Sequence, residues 1–405
     1  MKLLFIQGGS RWKFDDKGNA YTDANFNENI WNRYRAYCDE LTVVLKKEDV
    51  LYEESVARNR YNLFDIKKSK LIDLLDIYRP VYRFINMKYR KIINERIEEA
   101  VKEADAVIIR SLGTYYTNTA LKYVRKYKKP HLVEETGFSF EALWYHSLLG
   151  KLAAIPNEIT TRYLMKDVPW AIYVTNEALQ KRYPCSGRSL GCSDVEIKIN
   201  VDVLEKRLKR NLNRKIILGT AAFLDVGWKG QIYVIRALAK LKKKGICNFE
   251  YQLIGAGTGK ILQEEAQKLG IVEEVRIIGA LPHEKVFDWL DSIDVYIQTS
   301  FMEGLCRSII EAMSRGCPVL CTDVGGNYEL VDGMCLMKKG NATNIAIKIE
   351  MMLDNDFRRN QSKRNFETAK QYEMNHLNYR RNNFYKEFLN TINIEENSYE
   401  KSTIN

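Results

Sequence analysis

Histidine is scarce in this chain, and common metal-binding motifs are missing from it. The 405 residues include four histidines, and neither an H-E-x-x-H nor a C-x-x-C motif occurs. Many zinc sites are built from such motifs. The sequence therefore predicts no metal site, and it predicts no cofactor apart from the substrates themselves.

Cysteine is present, but without a pattern that indicates disulfides or metal ligands. The eight cysteines are scattered, and several fall in segments predicted to be buried: Cys38, Cys185, Cys192, Cys247, Cys306, Cys317, Cys321 and Cys335. Disulfides persist mainly in oxidising compartments, so unpaired structural thiols are typical of cytoplasmic proteins. We therefore expect reduced thiols and a cytoplasmic location.

Long apolar runs are also missing. No apolar run approaches the roughly 18 residues that a membrane-spanning helix needs. The N-terminal segment Met1–Gly9 has a short apolar stretch that ends in glycines, without the small-residue cleavage site of a signal peptide. It predicts a first buried strand that leads into a glycine loop.

Basic residues outnumber acidic ones. The chain has 63 lysines and arginines against 52 acidic residues, which gives a net charge of +11. Such a balance fits a nucleic acid, an anionic membrane surface or a polyanionic substrate, as well as a plain solvated surface. Basic residues lie among aromatic ones near residues 82–91 and at 122–129. These segments indicate a reversible contact with an anionic membrane. No nucleic-acid recognition motif occurs, so a nucleic-acid partner is not predicted.

Strand and helix patterns alternate along the second half of the chain. Apolar strands are separated by helices of about ten residues, which indicates parallel βαβ units and a doubly wound domain. The first half is less regular but similar, and residues 50–89 predict helices over one face of that domain. We expect an N-terminal domain at 1–205, a second domain at 206–365, a helix at 366–392 and a frayed tail at 393–405.

The most informative segment is Ser300–Leu320, which an apolar strand precedes and in which a second strand begins. Glu311 is predicted to lie on a packed helix, where a carboxylate is costly to bury unless hydrogen-bond donors meet it. Sugar hydroxyls are such donors. The start of the same helix supplies backbone N–H groups and a positive dipole end that suit a diphosphate. The segment therefore predicts a nucleotide-sugar site.

Glu303-x7-Glu311, followed by Gly316-Cys317-Pro318-Val319 and Gly325-Gly326-Asn327-Tyr328-Glu329, resembles the retaining family-4 glycosyltransferases of the GT-B fold. Among these, the chain looks most like enzymes that build capsule, O-antigen or exopolysaccharide repeats. The resemblance is good over residues 215–335. It implies an α/β protein with two Rossmann-like, doubly wound domains that face each other across a cleft. It also implies a terminal helix that crosses back to the first domain.

The resemblance also implies roles for individual residues. Glu311 would bind the donor ribose, and Glu303 would hold hydroxyls of the transferred sugar. Lys229, which precedes Gly230 as in the family, would contact the diphosphate. The arginine that the family places earlier is missing, and Arg307 is the candidate second cation. Backbone N–H groups of Gly304, Leu305 and Cys306 would complete the diphosphate site without a metal ion.

Further candidates come from loops that follow predicted strands. Gly8 and Gly9 precede a polar loop, Ser10–Asn25, that would lie between the domains. Gly255 belongs to a turn near the nucleotide. Either Glu135 or His146 would face the reacting carbon of the sugar; a lone histidine is more often structural.

Three other functions fit parts of the sequence. A GT-B nucleotide-sugar epimerase would share the fold, but it should carry several carboxylates and histidines on the first-domain side of the cleft. A nucleotide-dependent oxidoreductase is disfavoured because Gly255-Ala256-Gly257-Thr258-Gly259-Lys260 has lysine where the dinucleotide fingerprint needs glycine. A basic nucleic-acid-binding protein fits the charge alone. We therefore expect a nucleotide-sugar donor and a glycan or lipid-linked acceptor, used by a cytoplasmic enzyme at the inner membrane face.

Overall fold

The computed structural model describes residues 1–23, 26–210 and 214–402. Within these ranges it contains two β-sheets, mostly parallel, and helices cover both of them. The predicted α/β class with two Rossmann-like domains is confirmed. Among the described residues, no helix has the length and apolar character required to cross a membrane.

The strands of the first sheet are β1 (Lys2–Asp15), β2 (Ala20–Thr22), β3 (Glu40–Tyr52), β4 (Asn62–Leu63), β5 (Lys70–Leu74), β6 (Ala106–Arg110), β7 (His131–Glu135), β8 (Trp170–Tyr173) and β9 (Arg188–Gly191). Those of the second sheet are β10 (Ile216–Ala221), β11 (Phe249–Ile254), β12 (Val275–Gly279), β13 (Val295–Gln298), β14 (Val319–Thr322) and β15 (Leu336–Met337).

The helices before the second sheet are α1 (Glu28–Arg35), α2 (Glu54–Arg60), α3 (Tyr82–Ile85), α4 (Met87–Glu103), α5 (Tyr115–Lys126), α6 (Ser139–Trp144), α7 (Leu148–Lys166), α8 (Ala178–Arg182) and α9 (Val201–Leu208). The later helices are α10 (Gln231–Lys243), α11 (Lys260–Lys268), α12 (His283–Ser292), α13 (Arg307–Ser314), α14 (Ala342–Met351), α15 (Asn355–Lys370) and α16 (Met374–Ser402). Short 3₁₀ turns lie at Gly227–Lys229, Val272–Glu274, Asn327–Glu329 and Gly333–Cys335.

Both sheets reverse their strand order near the middle. The second sheet has the order β12-β11-β10-β13-β14-β15, so the reversal lies between β10 and β13. In the first sheet, β1 pairs in parallel with β3 on one side and with β6 on the other, which places the reversal between β1 and β6. Ligands of open parallel sheets bind beyond the carboxyl ends of the strands at such a point. The topology therefore predicts a ligand site among the loops that follow β1, β6, β10 and β13.

Two apolar clusters hold the fold together. One packs α4 and α5 against a face of the first sheet and includes Ile97, Ile109 and Tyr116. The other extends from the opposite face of that sheet into the second domain and includes Trp31 and Tyr385. Because Tyr385 lies on α16, the C-terminal helix packs on the first domain. Arg381 of the same helix also donates to the Ser193 carbonyl at 2.6 Å.

The glycine loop predicted after β1 is wrong, because β1 continues through Gly8 and Gly9 to Asp15. Its pairing with β3 shifts register between Ile6 and Arg11, so the glycines lie at an irregularity within the strand. A side chain at Gly8 would overlap Thr114, with 2.1 Å to its Oγ1. Ala24 and Asn25, the last two residues of the loop predicted to follow, lie outside the described residues.

Other differences concern the first domain and the chain end. Residues 50–89 do not form helices alone, since the end of β3 and all of β4 and β5 lie there. The long helix α7 had no counterpart in the sequence analysis. The predicted boundary at 205/206 falls inside α9, where Arg207 donates to the Leu290 and Ile293 carbonyls of the second domain. The helix predicted to end at residue 392 continues to Ser402.

Candidate active site

A cavity of about 260 Å³ lies between the two domains at the strand ends identified above. Gln7, Ser10, Arg110, Thr136, Val174, Ser193 and Asp194 line it on the first-domain side, with Phe26 and Ile30. Glu303, Gly304, Leu305 and Arg307 line it on the second-domain side. The segment predicted to carry the chemistry thus faces the carboxyl ends of β6, β7, β8 and β9.

Lys229 and Glu303 form an ion pair at the point where the second sheet reverses its order. Lys229 follows β10 and Glu303 follows β13, and the Lys229 Nζ lies 2.7 Å from a carboxylate oxygen of Glu303. The two side chains are only 14% and 13% exposed. The ammonium also lies 4.5 Å from the centre of the Trp228 ring. The pair is therefore held in place and largely shielded from water, where electrostatic interactions are stronger than at the surface.

The turn behind Lys229 depends on glycine. Gly230 has a φ of +73°, and a side chain there would come within 2.1 Å of the Thr299 carbonyl oxygen. The Phe301 N–H donates to the Trp228 carbonyl at 2.8 Å. These contacts join the loop after β10 to the loop after β13, so the lysine and the glutamate are positioned by neighbouring backbone.

Helix α13 begins at the cavity wall, with Cys306 as its N-cap residue. The Cys306 Sγ lies 3.2 Å from Ser308 Oγ, and no side-chain capping bond is made by Cys306. Burial raises the pKa of the Cys306 thiol to about 12. Cys306 is therefore a protonated, buried thiol behind the wall and is unsuited to act as a nucleophile.

The two domains approach closely beside this helix. A side chain at Gly304 would lie 2.1 Å from the Thr136 carbonyl oxygen of the first domain. The Glu329 carboxylate accepts the backbone N–H groups of Asn176, Glu177 and Ala178 at 2.7, 3.1 and 2.7 Å. Glu329, part of the glycine-rich motif noted in the sequence, therefore joins the second domain to the start of α8.

On the first-domain side, Arg110 and Asp194 belong to a buried charge network that the sequence analysis missed. Arg110 donates to Glu134 at 2.5 Å and also bonds Asp194. Glu134 accepts from the Tyr34 hydroxyl at 2.9 Å. Asp194 further lies 3.4 Å from a guanidinium nitrogen of Arg381 on α16. The network therefore connects the cavity wall to α1 and to the C-terminal helix.

The charges in this network stabilise one another. Burial alone would raise the pKa of the Asp194 carboxyl, but the guanidinium groups of Arg110, Arg381 and Arg33 outweigh it and lower that pKa. Asp194 is therefore ionised at neutral pH. One signal could have pointed to the network: the apolar strand Ala106-Val107-Ile108-Ile109 ends in an arginine, at the edge where ligands bind.

Glu135 lies behind the cavity wall. It is 2% exposed, and its carboxyl group accepts the N–H groups of Leu112 at 3.1 Å and Thr136 at 3.2 Å. Burial raises its pKa from 4.5 to about 8. The Glu135 carboxyl group is therefore neutral, and it binds the backbone of two loops. One of these loops reaches the cavity at Thr136.

The pKa of Glu135 predicts a pH dependence of stability. In the unfolded chain the carboxyl group ionises near 4.5, whereas in the folded chain it keeps its proton up to about pH 8. Stability that is fully present below pH 4.5 is therefore lost as the pH rises toward 8. We expect Glu135→Gln to remove this decline, since glutamine does not ionise and its side-chain oxygen can still accept one of the two N–H groups. Denaturant unfolding at pH 5 and pH 8 measures it, and an equal decline in both proteins would contradict the assignment.

The remaining candidate residues lie around the cavity rather than in its wall. His146 is exposed in the turn after α6, next to Tyr145, whose ring packs on Phe301 at 5.8 Å. Glu311 is half-buried on α13. Gly8 and Gly9 lie between Gln7 and Ser10, two residues that line the cavity.

Gly255 lies in a tight turn after β11. It has a φ of +143°, and a side chain there would meet the Ala222 carbonyl oxygen at 2.0 Å. The Asp225 carboxylate accepts the N–H groups of Thr258 and Gly259 at 2.7 and 2.9 Å. These amides, at the start of α11, are thereby occupied within the protein, which agrees with the segment's departure from the dinucleotide fingerprint.

Among the described residues, no group of three histidine, cysteine, aspartate or glutamate side chains is arranged to hold a metal ion. The charges that the cavity presents from described side chains are those of Arg110, Asp194, Glu303 and Arg307, with Lys229 beside them. Cations and hydrogen-bonding groups of this kind can bind a phosphorylated sugar compound.

Comparison with known proteins relates the chain to one family. Residues 201–371 match the family model for glycosyl transferases group 1. Protein CapJ of Staphylococcus aureus is 30% identical over 341 residues, which cover 84% of this chain and 83% of CapJ. The amylovoran biosynthesis glycosyltransferase AmsK of Erwinia amylovora is 33% identical over 111 residues, 26% of this chain and 27% of AmsK.

A solved structure shows the same fold. HepE of Anabaena, in a crystal structure with UDP-glucose, superposes with a TM-score of 0.62 at 16% identity, covering 97% of this chain and 99% of HepE. This likeness confirms the predicted GT-B architecture. The match to the family model, together with the similarity to CapJ over most of both chains, shows that the protein belongs to the group 1 glycosyltransferases.

Proposed function

We propose that the protein transfers a sugar from a nucleotide-diphosphate donor to a hydroxyl group of a glycan or lipid-linked acceptor. The transfer would proceed with retention of anomeric configuration, in the synthesis of a bacterial surface polysaccharide. Two comparisons support this proposal: HepE was solved with UDP-glucose, and AmsK is named for amylovoran biosynthesis. The observation that carries it is the shielded Lys229–Glu303 pair at the reversal point of the second sheet.

The Lys229–Glu303 pair suggests how the donor would bind. The Glu303 carboxylate neutralises the Lys229 ammonium at 2.7 Å. A donor diphosphate would attract the ammonium, and Glu303 would then accept hydroxyl groups of the transferred sugar. Arg307, at the start of α13 in the cavity wall, is the second cation for the leaving diphosphate. Fixed positive charge of this kind stabilises a leaving group as its charge develops.

Glu311 is assigned to the donor nucleoside. It lies one turn beyond Arg307 on the same helix and is half-buried. Backbone N–H groups of Gly304, Leu305 and Cys306 would add to the diphosphate site at the positive end of the helix dipole. Gly255, in the turn after β11, would border the nucleotide. Retention would then follow a same-face route, in which the leaving phosphate helps to deprotonate the acceptor hydroxyl.

The acceptor would enter from the first-domain side. Asp194 and Ser193 face the cavity there together with Arg110. An ionised carboxylate, a hydroxyl and a guanidinium group can together bind the hydroxyls of a saccharide. We place the enzyme in the cytoplasm, where nucleotide-sugar donors are available, and at the inner face of the membrane that would carry a lipid-linked acceptor.

A screen of UDP-, GDP- and ADP-sugars for thermal stabilisation tests the donor site. A ligand that binds only the folded protein at 100 times its Kd stabilises it by about 2.7 kcal/mol. We expect one nucleotide class to raise the melting temperature, in the presence of EDTA as well, and Glu311→Ala to reduce that rise. A lack of stabilisation by every donor, or stabilisation that EDTA abolishes and Mg²⁺ restores, would contradict the proposed site.

A further inference from the structure

Helix α7 (Leu148–Lys166) buries a row of mostly small or polar residues. Its buried residues are Gly150, Ala154, Glu158, Thr161 and Met165. Glu158 is satisfied there, because it accepts from Tyr183 at 2.6 Å and from Arg182 at 2.6 Å. A helix that faces water normally buries its large apolar side chains and exposes its polar ones. In α7 most of the large apolar side chains are exposed instead.

The outward face of α7 carries the large apolar side chains instead. Six of them are between 59% and 80% exposed: Leu148, Leu149, Leu152, Ile155, Ile159 and Tyr163. Four residues, Leu152, Ile155, Ile159 and Tyr163, recur at helical spacing, so they form one continuous row. From Leu148 to Tyr163 the face extends about 23 Å at the usual helical rise. It is an apolar strip on the surface of the first domain.

The exposed charges within α7 are basic. Lys151, Arg162 and Lys166 are exposed, whereas the one acidic residue of the helix, Glu158, is buried and pairs with Arg162 at 2.7 Å. The C-cap residue that follows the helix, Asp167, is an exposed carboxylate. A row of apolar side chains accompanied mainly by lysine and arginine is the pattern of a helix that lies in the interface of an anionic bilayer. Lysine and arginine near such a surface each add about 1 kcal/mol of attraction.

The position of α7 relates this face to the cavity. The chain leaves β7 at the cleft edge of the sheet, passes through α6 and enters α7 at Leu148. Just before α7, Tyr145 packs on Phe301 of the second domain at 5.8 Å, and its hydroxyl lies 3.2 Å from the Lys339 Nζ. The apolar strip therefore begins at the edge of the cleft.

A second apolar and basic segment lies at the same edge of the sheet. Val81, Tyr82, Ile85 and Met87 are 53%, 58%, 75% and 70% exposed. Residues 78–91 contain five basic residues and no acidic one. The segment adjoins the start of α5, since Phe84 packs on Tyr115 at 6.4 Å. In the loop before α5, the Gly113 backbone lies against Asn157 and Thr161 of α7.

From these observations we propose that α7 is a membrane-docking helix, whose outward face inserts its apolar side chains into the headgroup layer of an anionic lipid bilayer. The proposal rests on the proposed lipid-linked acceptor, because docking through α7 would serve to hold the cleft at the lipid surface where that acceptor lies. It assigns the contact to a different surface from the basic segment 122–129 suggested by the sequence.

The structure disfavours that basic segment for two reasons. The segment contains the end of α5 and leads into β7, so it lies at the edge of the sheet opposite the cleft. Several of its charges are also engaged within the protein: Lys126 bonds Glu98 at 2.7 Å, and Lys129 donates to the Lys102 carbonyl at 2.9 Å. It can add long-range attraction, but it lies away from the cleft.

Co-sedimentation of the full chain with vesicles tests the proposal. Vesicles of phosphatidylglycerol and phosphatidylcholine are compared with vesicles of phosphatidylcholine alone, at low and high salt. We expect the wild type to pellet with the anionic vesicles, and Leu152→Glu/Ile159→Glu to reduce the bound fraction at least tenfold. Ile261→Glu/Ile347→Glu is the matched control, because these residues are 63% and 50% exposed on helices of the second domain. It should bind like the wild type.

Two further measurements keep the result decisive. Leu148→Glu/Leu149→Glu, at the start of the strip, should show the same loss if the first variant folds poorly. Thermal stabilisation by a donor nucleotide should be unchanged in all variants, so a failed docking test is distinguishable from a failed donor site. Equal pelleting of the wild type and both α7 variants, or no pelleting of the wild type with either lipid, would overturn the proposal. So would a wild-type dimer that becomes a monomer in the α7 variants without any vesicle binding.

Discussion

Replacing Lys229 by alanine is expected to lower the rate of sugar transfer by about 10²- to 10³-fold, the usual effect of removing one preorganised group that stabilises developing charge. The ammonium is only 14% exposed and lies 2.7 Å from Glu303 at the strand ends where the donor is placed. Its interaction with a leaving diphosphate would be strongest in the transition state. The decrease should therefore appear in kcat and in kcat/KM alike.

The control for this substitution is Lys242→Ala. Lys242 also lies in the second domain and also forms a 2.7 Å ion pair, with Glu274, but away from the cavity. We expect it to leave turnover unchanged. Glu303→Gln, which keeps the shape of the side chain, should lower turnover as well, because the amide cannot accept sugar hydroxyls as a carboxylate does. Unchanged kinetics in Lys229→Ala would show that the leaving diphosphate is stabilised elsewhere.

Replacing Arg110 by methionine is expected to destabilise the fold by about 3–5 kcal/mol, the range observed when one partner of a buried ion pair is removed. Arg110 bonds both Glu134 and Asp194, and its side chain is 14% exposed. Without the guanidinium, two carboxylates lose the cation between them. Tyr34 and Arg381 would still contact these carboxylates, which favours the lower end of that range.

Urea unfolding of Arg110→Met measures the loss, and Arg188→Met provides the comparison. Arg188 lies 2.7 Å from Glu387, but the two side chains are 63% and 45% exposed, so this pair should contribute about 1 kcal/mol or less. Equal losses in the two variants would mean that the Arg110 network is no more stabilising than a surface pair. Transfer activity of Arg110→Met at a temperature where it is folded would report its separate role in the cavity.

The second domain was predictable from sequence because local and global signals agree there. Its central strands β13 and β14 are mostly apolar and buried along their whole length, as expected for a parallel sheet covered on both faces. The glycine at position 230 marks the tight turn that carries Lys229. Sequence spacing could not show that Lys229 and Glu303, separated by 74 positions, form a direct pair, because that contact depends on the adjacency of β10 and β13.

The first domain was less predictable because its features depend on tertiary packing. Gly8 and Gly9 look like a turn, but they lie inside β1, where the strand bulges against Thr114. The network around Arg110 joins residues from α1, β6, β7 and α16 that no motif connects. The sequence pattern could not show that the apolar row of α7 faces outward, because a row of apolar residues at helical spacing is normally assumed to face the core.

Transfer of a radiolabelled sugar from its nucleotide donor to a lipid-extractable product tests the central claim most directly. Purified wild type is compared with Lys229→Ala and Lys242→Ala, using the donor that stabilises the protein and a bacterial lipid extract as acceptor. The account predicts labelled lipid and equimolar nucleoside diphosphate with the wild type and Lys242→Ala, and a decrease of about 10²-fold or more with Lys229→Ala. Equal labelling by all three proteins, or the donor's own epimerisation without transfer, would contradict it.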